Sequence, residues 1–241
     1  MPPKKQQIPK FEVQNLYQGL PKKYQASAKL RQNMKGIIEQ PFRLGVIGGS
    51  GSGKTNLIMN LLAFFGVFSE HSSMFQKVIY VCPTQQPLVK EAMEATDRVQ
   101  WLQKLNDLPE VDNYCPPGPV LVVFDDLLSS NKKDSLFIER WFLKSRIKNV
   151  SCIYISQSYF GIPKTIRLQF SYLILKKINS IRTLTAVSTD FNDGTDLNWL
   201  KRAYKYANNK PNGFLFIDLT GSNPDKYRSG FEEILHPPED S

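Results

Sequence analysis

Gly48-Gly49-Ser50-Gly51-Ser52-Gly53-Lys54-Thr55 is the stretch that decides how this chain is read. Its glycines let successive backbone N–H groups wrap a chain of phosphates with no Cβ in the way, and the helix that follows adds a favourable dipole. The flanks give the right context. Phe42-Arg43-Leu44-Gly45-Val46-Ile47 is a short β-prone run ending in glycines, and Thr55 to Phe65 is apolar with good helix formers. In such a loop Lys54 reaches the β- and γ-phosphates of a nucleoside triphosphate, and the Thr55 hydroxyl ligates Mg²⁺. Gly48, Gly49, Ser50, Gly51, Ser52, Gly53, Lys54, Thr55 and the next residue, Asn56, are therefore the candidate ATP-binding set.

Outward from the loop, strand-like and helix-like segments alternate. Lys77-Val-Ile-Tyr-Val-Cys82 reads as a strand stopped by Pro83, and residues 86–104 contain a helical stretch. Pro116-Pro-Gly-Pro119 is a breaker. Val120-Leu-Val-Val-Phe124 is a continuous apolar run, as expected of a parallel strand buried on both faces. Asp134 or Ser135 is placed to cap a helix running to about Lys148. Ser151-Cys-Ile-Tyr-Ile155 and Tyr172-Leu-Ile-Leu175 are further strands. Asp196 precedes a helix over Leu197 to Ala207, and Gly213-Phe-Leu-Phe-Ile217 is a last strand. The pattern predicts an α/β fold, a three-layer sandwich around a mostly parallel sheet. It divides the chain into a basic arm (1–40), one ATPase domain (41–220) and a C-terminal tail (221–241).

A phosphate loop needs an acidic partner at the tip of another buried strand. Asp125-Asp126, directly after Val120–Phe124, supplies it. Asp125 is read as a ligand in the Mg²⁺ shell and Asp126 as the base that orients the attacking water. In ATPases that insert an extra strand between these two, that strand ends in a polar residue facing the γ-phosphate. Gln157 has the chemistry, since its amide can donate to a phosphate oxygen and accept from water.

Composition bounds the rest. The formal charge is +9, and residues 1–40 carry eight lysines and arginines against Glu12 and Glu39. A basic arm of this kind attracts a polyanion such as nucleic acid, and a solvated tail has the same composition. No apolar run approaches the roughly 18 residues of a membrane-spanning helix. The N-terminus Met1-Pro-Pro-Lys-Lys-Gln-Gln lacks the apolar core of a secretory signal. The three cysteines, Cys82, Cys115 and Cys152, have no metal-ligand spacing, which fits an intracellular, reducing compartment. His71 and His236 are the only histidines, so no histidine-based metal or triad chemistry is expected. Trp101, Trp141 and Trp199 fall at helical positions and read as core. Lys176-Lys177 and Lys201-Arg202 either line a DNA channel or sit on solvated faces. Arg140 reads as a surface cation near Glu139 or Asp134.

Lys144-Ser-Arg146-Ile-Lys-Asn-Val-Ser-Cys-Ile-Tyr-Ile-Ser-Gln157-Ser-Tyr-Phe-Gly-Ile-Pro163-Lys-Thr-Ile-Arg167 resembles the FtsK–HerA superfamily. Within it, the stretch is most similar to the genome-packaging ATPases of poxviruses, other large DNA viruses and virophages. Those proteins join a Walker A loop and an Asp-rich Walker B strand to an arginine ahead of a strand ending in glutamine, followed by an Ile-Pro-x-x-Ile-Arg-like segment. The resemblance spans about residues 42–175, and its Arg146–Gln157–Pro163–Arg167 series is the discriminating part. One departure is Ile147, where the packaging enzymes often have histidine.

The resemblance implies a homo-oligomeric ring, a pentamer or hexamer, with ATP at each interface and an arginine inserted from the neighbour. Arg146 is the first candidate for that finger and Arg167 the second. It implies an ATP-hydrolysing translocase of double-stranded DNA that packages a viral genome, working with capsid proteins in host cytoplasm, viral factory or virion. Two other readings share the loop. A small-molecule or nucleotide kinase needs an arginine-rich lid, which the sequence lacks. A replication-type DNA ATPase normally adds a helical C-terminal lid, whereas one helix and one strand are expected here after residue 190.

Overall fold

The computed structural model describes residues 37–70, 73–116, 118–127, 132–191, 194–220 and 225–237. Most of the basic arm (1–36) and His71 lie outside the described residues. Among the described residues nine strands form one sheet: β1 (Arg43–Ile47), β2 (Lys77–Val81), β3 (Val99–Leu102), β4 (Val120–Asp125), β5 (Val150–Ser156), β6 (Tyr172–Leu175), β7 (Leu215–Asp218), β8 (Tyr227–Ser229) and β9 (Glu233–Leu235). Their order is β3-β2-β4-β5-β1-β6-β7-β8-β9. Pairing is parallel from β3 through β6 and antiparallel from β6 to β9.

The layers follow from side-chain alternation. Every residue of β1, β4, β5 and β6 is buried, which is why those runs read as continuously apolar. Leu44, Val46, Leu121, Val123, Ile153 and Ile155 face α1 (Lys54–Phe64) and α2 (Pro87–Ala95). The alternate residues, Val120, Val122, Phe124, Cys152 and Tyr154 among them, face the other layer. That layer is α3 (Lys132–Lys144), α4 (Lys164–Arg167), α5 (Arg182–Asp190) and α6 (Leu197–Ala207). The α/β three-layer expectation is met.

In α3, Ile138, Trp141 and Phe142 share one face at spacings of three and four, and all are essentially inaccessible. The Phe142 ring lies 5.9 Å from Phe124, 6.0 Å from Tyr154 and 5.9 Å from Phe170, tying three elements together. Burying such a ring contributes roughly 1.5–3 kcal/mol. The helix expected after Asp196 is α6, and Asp196 caps it: its Oδ2 accepts from the Trp199 amide at 2.8 Å.

The helical stretch expected within 86–104 is present as α2, which ends at Ala95. Three other readings need correction. Trp101 is not at a helical position, because Val99–Leu102 pairs in parallel along β2 and puts it on a strand. Four residues, Val-Gln-Trp-Leu, on a sheet edge fit either period, and pairing with β2 decides it. The helix expected to reach Lys148 turns 3₁₀ at Ser145 and ends at Asn149, whose φ of 57° reverses the chain into β5. The stretch 221–241, read as a tail, contains β8 and β9, which continue the sheet.

Candidate nucleotide site

Parallel pairing brings the C-terminal tips of β1, β5 and β4 to one edge. Ile47 is in register with Ser156, and Asp125 with Ile155. The inserted strand is therefore observed: β5 lies between the loop strand and the acidic strand. Alternation then directs the side chains. Asp125 shares its face with Leu121 and Val123, and Gln157 continues from Ile153 and Ile155, so both fall on the α1 side.

The loop is held from both flanks. Gly48 N donates to Ser156 O at 3.2 Å, and Gly49 N donates to Lys177 O at 2.7 Å. Gly53, at φ 80°, occupies the left-handed region and begins α1 with no side-chain cap and no acidic residue in the first turn. The helix's unpaired N–H groups and its dipole are thus left for an anion from outside. Lys54 Nζ rests on the Gly48 and Gly49 carbonyls at 2.8 and 3.1 Å. Burial lowers its pKa, and the nearby Asp126 and Asp125 carboxylates oppose that.

Ser50, Gly51, Gly53, Lys54, Thr55 and Asn56 line one cavity of about 350 Å³ together with Gln86, Asp125, Asp126 and Gln157. All of these but Gln86 are residues the sequence predicts for the site, and the structure brings them together. Tyr80 Oη donates to Asp125 Oδ2 at 2.6 Å, and Gln86 Nε2 reaches the same oxygen at 3.4 Å. Burial raises the Asp125 pKa, and the bond from Tyr80 counters it. Asp126 takes φ 51°, which turns its carboxylate out of the strand's alternation. Its Oδ2 accepts from Gln157 Nε2 at 2.8 Å, while its buried Oδ1 has no partner among the described residues.

These residues suit Mg²⁺ and a triphosphate. A hydroxyl (Thr55) and a carboxylate (Asp125) are the hard oxygen donors magnesium takes when substrate phosphates complete its shell. Among the described residues, the buried Asp126 Oδ1 after β4 and the buried Ser52 Oγ in the loop have no hydrogen-bond partner.

The arginines part company. Arg167 Nε lies 3.3 Å from Asp190 Oδ2, with side chains 12% and 8% exposed, and the guanidinium sits 4.5 Å over the Tyr159 ring. Tyr159 Oη donates to Asp190 Oδ2 at 2.9 Å. Arg146 is half-buried in the 3₁₀ turn ahead of β5, at the end of the sheet opposite the loop. Its charged neighbour is Arg43, whose pKa is lowered first by burial and then by Arg146. Arg140 pairs at 3.6 Å with Glu110 on the surface.

Sequence reasoning missed Tyr80, Gln86 and the placement of Lys176. Tyr80 reads as one more apolar residue of a strand, and only cross-strand register shows its hydroxyl meeting Asp125. Lys176, considered above for a DNA channel, is 2% exposed at the tip of β6 and does not line a surface. Lys177 is exposed.

With this geometry established, comparison with known proteins identifies the family. Residues 29–185 match the family described as Poxvirus A32 protein. The chain belongs to that family. Among curated protein sequences none matches. The fold is shared with the DNA-packaging ATPase B204 from Sulfolobus Turreted Icosahedral Virus, at TM-score 0.53 and 14% identity over 75% of this chain and 93% of that one. The B204 genome packaging NTPase of Sulfolobus turreted icosahedral virus 2, in complex with sulfate, gives 0.50 and 14% over 81% and 98%. The cytoplasmic domain of the Thermomonospora curvata Type VII secretion ATPase EccC gives 0.52 and 15% over 83% of this chain and 26% of that one. At these identities the likenesses show a shared fold, and the family rests on the A32 match.

Proposed function

We propose that this A32-family protein hydrolyses ATP to drive double-stranded DNA into a viral capsid. The observation that carries the hydrolytic reading is the contact between Gln157 and Asp126 at the tip of the inserted strand. One residue there can hold a water and the other can accept its proton.

Lys54 and the amides of Gly48–Gly53 hold the β- and γ-phosphates. Thr55 and Asp125 hold Mg²⁺, which supplies neutralisation of the charge developing on the phosphate oxygens. Gln157 orients the attacking water with Asp126. Tyr80 and Gln86 fix the Asp125 carboxylate. DNA contact is mainly to phosphates and independent of sequence, since a translocase must accept every sequence.

The working assembly is a homo-oligomeric ring in contact with capsid proteins, and Arg146 of each subunit serves its neighbour's site. Among the described residues no helix is long and apolar enough to cross a membrane. A place in the host cytoplasm, viral factory or virion belongs to this proposal.

The test is ATP turnover with and without long duplex DNA, for wild type and Asp126→Asn. DNA-stimulated turnover that Asp126→Asn abolishes supports the motor. Turnover indifferent both to DNA and to oligomeric state refutes it.

A further inference from the structure

We propose that the base and ribose of the nucleotide lie in a groove between the first turns of α1 and the β6–β7 edge, with Lys176 at its inner end. This rests on the nucleotide reading of the loop. The sheet order supplies the direction. β1 carries the loop, β5 and β4 on one side carry Gln157, Asp126 and Asp125, and β6 on the other side carries Lys176. The hydrolysed end of the nucleotide faces β5 and β4, so the rest of the molecule points past β1 toward β6.

A cavity of about 410 Å³ lies on that side, bounded by Asn60, Phe64, Lys176, Asn212, Phe214 and Phe231. Asn56 lines both this cavity and the phosphate cavity, so the two adjoin at the first turn of α1. A further cavity of about 460 Å³ shares Phe64, Asn212, Phe214 and Phe231, extending the groove toward the β8–β9 turn.

Its chemistry suits a flat heterocycle. The Phe214 and Phe231 rings meet edge to face at 4.9 Å and form one wall, while Phe64 stands at the rim 53% exposed. Stacking on such rings contributes about 1–3 kcal/mol per base and tolerates any base. The Asn60 and Asn212 side chains carry both donors and acceptors, which suit a heterocycle edge or ribose hydroxyls. Asn212 is held at φ 56° in the turn before β7.

Lys176 is the second observation. Its side chain is buried at the tip of β6, and Nζ donates to the Asn212 carbonyl at 3.3 Å. A Cβ placed on Gly53 would lie 3.5 Å from that Nζ, so the ammonium sits directly against the phosphate loop. The backbone of Lys176 is fixed by its N–H on Ile47 O at 2.8 Å and by Tyr204 Oη on its carbonyl at 3.2 Å. Among the described residues that carbonyl is the hydrogen-bond partner of the Lys176 side chain, and a buried ammonium so placed calls for an anion. Where phosphate cavity and groove meet, that anion is the phosphate joined to the ribose. Lys54 and Lys176 thus grip opposite ends of the triphosphate.

The test is equilibrium binding of MgATP and of inorganic tripolyphosphate to wild type, Lys54→Ala, Asn60→Trp and Phe64→Ala. Asn60 and Phe64 are exposed, so their replacement leaves the core intact, and thermal melting verifies this. The expected result is that Lys54→Ala loses both ligands. Asn60→Trp, which fills the groove, weakens MgATP about tenfold or more while tripolyphosphate binding stays within about twofold. Phe64→Ala shifts MgATP alone, by less. Equal loss of both ligands in Asn60→Trp, or loss of neither, overturns the groove. Failure of wild type to bind either ligand refutes the nucleotide reading itself, a distinct result.

Discussion

Gln157 Nε2 donates to Asp126 Oδ2 across 2.8 Å, joining the tips of two adjacent strands. The bond fixes one carboxylate oxygen and leaves the other, Oδ1, buried and without a partner among the described residues. If this pair holds the attacking water, the two residues differ in what their loss does. Asp126→Asn keeps size and hydrogen bonding but removes the base, so kcat falls by about 10²–10⁴ with KM nearly unchanged. Gln157→Leu frees Asp126 and lowers kcat less. Steady-state turnover and binding of a non-hydrolysable analogue check both.

Tyr80 donates at 2.6 Å to the Asp125 carboxylate, which burial already disfavours in its charged form. Tyr80→Phe removes that donor and leaves Oδ2 with the 3.4 Å contact to Gln86. At neutral pH the nucleotide-free protein should lose about 1–3 kcal/mol in urea unfolding. The sign with pH follows from the raised folded-state pKa of Asp125, which the substitution raises further. The deficit is present at neutral pH and shrinks as pH falls through that value, because a neutral carboxyl needs the donor less. A deficit independent of pH would assign the loss to packing instead.

The loop, the acidic strand and the glutamine strand were legible because each couples a continuous apolar run to polar residues at its end. Such runs belong to parallel strands covered on both faces, and β1, β4, β5 and β6 are buried throughout. What escaped depends on pairing. Val99–Leu102 is a strand because β2 offers it an edge, and β8 and β9 are strands because β7 does. Tyr80 and Lys176 escaped for the same reason. A tyrosine inside an apolar run and a lysine beside another lysine have no local signature, and register alone turns one toward Asp125 and the other toward the loop.

Arg167 illustrates the limit of motif matching. It matches the family-like segment, yet it forms a buried set with Asp190 and Tyr159 that braces the chain just beyond Gln157. Arg167→Met leaves the Asp190 carboxylate buried without its cation, a change that costs about 3 kcal/mol or more. The measurement is denaturant unfolding of Arg167→Met against the double variant Arg167→Met/Asp190→Asn, which should recover much of the loss. A finger acting only on a neighbour's nucleotide predicts no change in subunit stability.

Arg146 is the other candidate, and its position makes a trans role testable. It precedes β5 while Gln157 follows it, and a seven-residue strand spans about 20 Å. No arginine side chain covers that distance, so Arg146 cannot reach the phosphates of its own subunit. It stands beside the buried Arg43, and that like charge favours any arrangement in which Arg146 meets an anion. Arg146→Ala subunits alone should therefore lose turnover by about 10³-fold or more, as expected for a transition-state arginine. Lys54→Ala subunits, which have the arginine but cannot use ATP, should be equally inactive. Mixing the two must restore part of the activity, because an intact Lys54 site then meets an intact Arg146 across an interface. Mixtures no more active than their parts would place Arg146 outside catalysis and make its role structural.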